Sequence, residues 1–129
     1  MIAIDTNVLV RLLVNDDAAQ GAIARALFEK EEIWIGKTVV LETIWVLRAV
    51  YGFKDASIIR AIEGALGLPH VRAEDSGSVE RALAAAVTGI DIADALHVAS
   101  TPADARVFVT FDRKLARRSH SGLGPIETP

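Results

Sequence analysis

The chain has 129 residues, which fits one domain with a buried core. It has no cysteine, so a disulfide framework and a thiolate metal site are excluded. A net charge of -3 and a pI near 5.6 exclude a general polyanion binder, so any nucleic-acid contact must come from a local basic patch. Apolar residues make up 51% and the mean hydropathy is +0.33, values that imply a dense core or an apolar face covered by a partner. No apolar stretch is long enough to span a bilayer. The opening run is broken by Asp5 and Arg11, with no basic segment before it and no cleavage site after it, so the expectation is a cytoplasmic protein.

Short β-rich runs alternate with longer helical ones. Residues 1–4 read as a buried strand, and residues 7–14 and 18–31 as helices. Ile33-Trp34-Ile35 is a short strand ended by Gly36. Residues 39–51 form a strongly apolar helix closed by Gly52, and residues 57–66 another, followed by Gly67 and Pro69. Residues 71–73 are a strand, 78–87 an alanine-rich helix and 92–100 a further helix. RVFVT, residues 106–110, is a clear strand and residues 113–119 a short basic helix, with a last edge strand near Ile126. Strands separated by helices predict βαβ units and a parallel sheet with helices on both faces. No repeat, linker or low-complexity tract interrupts the chain.

Ligands of open parallel sheets bind beyond the carboxyl ends of the strands. Asp5 directly follows the first strand and Asp112 closely follows RVFVT, so both are expected at one edge of the sheet. Glu42 stands in TVVLETIWVL, where its neighbours are almost all apolar. An ionised carboxylate in such surroundings costs several kcal/mol unless it is paired or bound to a metal. With Thr38 as N-cap, Glu42 misses the capping-box spacing; an exposed face or a pair with arginine is the bland alternative. Asp91 and Asp94 lie on one face at a helix start, where capping and the helix dipole also account for them. Each acid has a structural excuse, but Asp5, Glu42, Asp94 and Asp112 together at one sheet end are harder to excuse. Like charges so placed need a counter-charge. Oxygen ligands without cysteine and with few histidines fit Mg²⁺ or Mn²⁺ better than zinc. Such ions commonly serve phosphoryl chemistry.

The opening MIAIDTNVLV, then LETIWVL, DIADALHVAS and VFVTFDRKLAR, in that order and nearly end to end, resemble the PIN domain, and specifically the VapC toxins of type II toxin–antitoxin pairs. The resemblance implies a single PIN-like domain over residues 1–129, a three-layer α/β/α sandwich with a central, mainly parallel sheet. It implies an Mg²⁺- or Mn²⁺-dependent endoribonuclease whose acidic site is Asp5, Glu42, Asp94 and Asp112, with Asp91 as a less regular extra acid. It further implies a homodimer, and inhibition by a small antitoxin whose tail covers the site. All the core acids of the pattern are present.

Thr6, Asn7 and Thr110 stand beside the acids, where they would orient carboxylates or simply close turns and cap helices. Arg113, Lys114, Arg117 and Arg118 form the only dense basic cluster and begin right after Asp112, which suits substrate phosphates. Arg11 is a weaker candidate for the same role. His97, three residues after Asp94, reads as an ordinary helix residue, and Trp34, Trp45 and Tyr51 as core or interface. Two other readings compete. An aspartyl-phosphate protein of receiver or phosphatase type is disfavoured, because Asn7 stands where a phosphatase needs a second acid and Lys114 follows the last acid where a receiver needs it before. A non-catalytic PIN-like module that binds RNA or protein is disfavoured by the complete acid set.

Overall fold

The strands of this protein are two or three residues long, and most give way at once to a helix or a turn. The computed structural model describes residues 1–129. Strand β1 (Ile2–Ala3) stops before Asp5, which caps α1 (Thr6–Leu13), and α2 (Ala18–Lys30) follows, capped by Asp17 through the Gln20 N–H at 2.9 Å. Strand β2 (Ile33–Ile35) stops at Gly36, the N-cap of α3 (Lys37–Ala49). Helix α4 (Asp55–Leu66) ends at Gly67, and β3 (Val71–Ala73) follows. Then come α5 (Ser76–Val87), α6 (Ile92–Ala99), β4 (Phe108–Val109), α7 (Arg113–Ala116) and β5 (Ile126–Glu127). The elements match those expected in number, type and order.

The chain divides into two compact units, Met1–Asp75 and Ser76–Pro129. In the first, β1, β2 and β3 pair in that order, all parallel, with Ile2 opposite Ile33 and Ile33 opposite Val71. Ile33 and Ile35 are buried, as expected of parallel strands covered by helices. Helix α3 shows two faces. Val40, Thr43, Ile44 and Leu47 are buried, whereas Thr38, Glu42, Trp45 and Ala49 form an exposed stripe at helical spacing. The Thr43 hydroxyl, on the buried face, has no hydrogen-bond partner. In the second unit α5 packs on α6 through small residues, Ala82, Ala85 and Ala86 facing a helix that buries Ala95, Val98 and Ala99. Here β4 pairs with β5, again parallel, with Phe108 opposite Ile126.

Four local expectations change. The buried strand expected over residues 1–4 is only Ile2–Ala3, with Met1 and Ala3 exposed. Helix α3 is capped by Gly36, not Thr38, and begins at Lys37, which puts Glu42 in its second turn. RVFVT yields only two strand residues, because its neighbour β5 offers just Ile126 and Glu127 for pairing. The basic helix ends at Ala116, three residues early.

Candidate functional site

In the first unit the parallel strands bring their carboxyl ends to one edge. Asp5 follows β1, the first turn of α3 follows β2, and Glu74 and Asp75 follow β3. Asp5 is exposed, and its Oδ1 accepts the Thr6 N–H at 2.7 Å. Oδ2 is left outside that cap. Thr6 is buried and Asn7 exposed. Glu42 is exposed too, so the cost of burying its carboxylate does not arise. Its apolar sequence neighbours occupy the opposite face of α3.

Glu74 escapes a reading aimed at hydrophobic context, although the strand-end test that singles out Asp5 applies to it equally. Its Oε2 accepts the Lys37 N–H at 2.9 Å, filling the place of the side-chain cap that Gly36 lacks. The Lys37 ammonium reaches Asp75 Oδ2 at 3.2 Å. The chain at Asp75 is in the left-handed region, with φ 47°.

Arg11 is committed within the fold. Its guanidinium donates to Gln20 Oε1 at 2.6 Å, to Asp16 at 3.2 Å and to the Tyr51 hydroxyl at 3.2 Å, and that hydroxyl donates to Asp16 at 2.7 Å. The hydrogen bond with Tyr51 raises the Arg11 pKa most, desolvation opposes the rise and Asp16 adds to it. The network ties α1, the α1–α2 turn and the end of α3 together, so Tyr51 acts as a polar clamp rather than as core. Trp34 is half-buried, whereas Trp45, 63% exposed, is not a core residue.

In the second unit Asp91 caps α6, its Oδ1 accepting the Asp94 N–H at 3.0 Å. Asp94 is in the first turn of α6 and His97 is exposed in its last. Asp112 caps α7, accepting the Leu115 N–H at 3.0 Å on Oδ1, with Oδ2 outside the cap. The Asp112 N–H donates to Thr110 Oγ1 at 3.0 Å, so Thr110 holds the backbone of the acid rather than its carboxylate. Arg113, Lys114 and Arg117 are exposed. Arg118 donates to the Thr88 carbonyl at 3.1 Å and hydroxyl at 2.7 Å, pinning the end of α5.

Neither unit by itself groups three or more His, Asp or Glu side chains that would hold a metal ion. The donor chemistry nonetheless suits a hard divalent cation, since every candidate ligand is a carboxylate and no thiolate exists. No helix is long and apolar enough to cross a membrane. A model of the PIN domain family matches residues 2–120, and the chain belongs to that family, whose three-layer α/β/α fold is generally a metal-dependent nuclease. No curated protein matches the chain.

Proposed function

We propose that this PIN domain, spanning residues 1–129, is a divalent-metal-dependent endoribonuclease and the toxin of a type II toxin–antitoxin pair acting in the cytoplasm. The observation that carries the reading is the family match over residues 2–120, which spans all four acidic motifs in order. Asp5, Glu42, Asp94 and Asp112 would hold Mg²⁺ or Mn²⁺, with Asp91, which caps α6 beside Asp94, as a less regular extra acid. A bound ion of this kind supplies charge stabilisation at the scissile phosphate and lowers the pKa of water.

The chain's own residues supply the rest. Capping engages Oδ1 of Asp5 and Asp112 and leaves Oδ2 of each for a cation. Each cap also fixes its carboxylate to a helix start, so little ordering remains to be done when the cation binds. Thr110 fixes the Asp112 backbone, the Thr6 N–H holds Asp5 Oδ1, and the exposed Asn7 would orient the same acid as a polar support. Arg113, Lys114 and Arg117 bind substrate phosphates; Arg11 and Arg118 contribute chiefly to the fold, given the partners they already have. Cleavage leaves 5′-phosphate and 3′-hydroxyl ends. The 2′-hydroxyl is not the nucleophile.

Partner binding is supported by apolar surface. Ile23 and Trp45 are each 63% exposed and Val50 is 62% exposed. A hollow of about 400 Å³ beside Asn7, lined also by Val8, Arg11 and Ile23, suits a segment of a small antitoxin. The exposed apolar residues equally suit a homodimer.

Purified protein freed of any bound antitoxin tests the reading on labelled RNA. Cutting is expected with Mg²⁺ or Mn²⁺, none with EDTA, and a loss of about 100-fold or more in Asp94→Asn, the scale of removing one charge-stabilising group. Asparagine keeps the size of aspartate, so circular dichroism should show an intact fold. RNA that is bound but never cut under any metal condition would instead favour a binding module.

A further inference from the structure

Phe111 stands in the turn between β4 and α7 and contributes nothing to the core. It is 89% exposed, more than any other large apolar residue of the chain. The turn itself is not loose. The Thr110 N–H donates to the Glu127 carbonyl at 3.0 Å, the Asp112 N–H to Thr110 Oγ1 at 3.0 Å and the Leu115 N–H to Asp112 Oδ1 at 3.0 Å. Hydrogen bonds on both sides therefore hold a phenyl ring out in water. Beyond Asp112, the next residue, come Arg113, Lys114 and Arg117, all exposed, and none of them belongs to an ion pair.

A protein partner would cover this patch only if it brought carboxylates to pair three cations beside one phenyl group. The patch is well matched to a single-stranded nucleic acid. Cations follow the phosphates, and a base with no pairing partner lays its face on the ring. A duplex cannot do this, because its base faces are already stacked on one another. We propose that Phe111 is a stacking platform for an unpaired RNA base, beside a phosphate track made by Arg113, Lys114 and Arg117. The proposal rests on the RNA-binding part of the proposed function and names the residue that would read an unpaired base. It also gives an exposed ring one residue before Asp112 a function: the stacked base sets which phosphate is presented to the acids.

The test uses the full chain and fluorescently labelled RNA, as a single strand and as a duplex, with binding measured by anisotropy in EDTA and cleavage measured in Mn²⁺. Phe111→Ala is expected to weaken single-strand binding about 10- to 100-fold, the effect of losing one aromatic–base stack. Duplex binding should not move, Phe111→Trp should restore the affinity, and KM should rise more than kcat falls. The platform is overturned if Phe111→Ala binds the single strand as the parent does, or weakens single strand and duplex alike. Failure of the Trp variant to rescue counts against it too. Sedimentation of the same variants covers the remaining occupant: a parent dimer that becomes monomeric in Phe111→Ala would show that a second copy covers the ring. A parent that neither binds nor cuts RNA removes both readings. A parent that cuts, with Phe111→Ala cutting at the same KM, removes the platform alone. Phe111-dependent binding without cutting under any metal removes the nuclease reading and leaves the platform standing.

Discussion

A carboxylate that caps a helix uses one oxygen and keeps another, so capping and cation binding do not compete for the same atom. Asp112 gives the sharpest separation of the two roles. Asparagine caps as well as aspartate, whereas alanine loses the bond to the Leu115 N–H and costs about 1 kcal/mol. Urea denaturation should therefore find Asp112→Asn close to the parent and Asp112→Ala less stable by that amount, while neither variant cuts RNA. A fully active asparagine variant would reduce Asp112 to a cap. The caps at Asp91 and Asp112 were readable from sequence, because each stood just before an expected helix; the cap at Asp5 was not, since the first helix was expected from Asn7 and starts at Thr6. Glu42 stood out because its sequence neighbours are apolar, and of the two bland alternatives, an exposed face or a pair with arginine, the structure takes the exposed face. The helical period places Thr38, Glu42, Trp45 and Ala49 on one open stripe. Phe111 had no signal at all, since nothing local distinguishes an exposed phenylalanine from a core one.

Helices were legible to within a few residues, and strands β2 and β3 to the residue. An apolar period repeated over three turns survives an error of one residue at either end, and α2, α4 and α6 begin and end within two residues of expectation. Strands of two or three residues have no such redundancy, and their length depends on what the neighbour offers. That is why RVFVT contributes only Phe108 and Val109. The start of α3 was misplaced for a related reason. Its cap is not local: Glu74, 37 positions away, receives the Lys37 N–H, and no window around residue 37 contains it. This long-range cap predicts that Glu74→Ala costs about 1 kcal/mol in chemical denaturation, while Glu74→Gln, which keeps an acceptor oxygen, retains most of the stability. The Lys37–Asp75 pair, with side chains 24% and 50% exposed, should matter less, as exposed ion pairs generally do.

At the scale of the molecule, the class of protein was legible because its evidence is distributed. Four short motifs in order carry the PIN assignment, and an error in any one element leaves the order intact. The joint action of the acids is a different kind of claim. Asp5 and Glu42 belong to one compact unit and Asp94 and Asp112 to the other, and neither unit alone groups enough carboxylates for a metal. Cooperation among them is thus the central proposal, and it is a statement about coupling free energy. Titration of Mn²⁺ into the parent, Asp5→Asn, Asp94→Asn and the double variant measures it directly. If the two acids share one ion, either substitution should cost most of the affinity and the second should add much less than it costs alone. Unchanged affinity in the single variants, or losses that simply add, would mean that Asp5 and Asp94 do not serve a common ion.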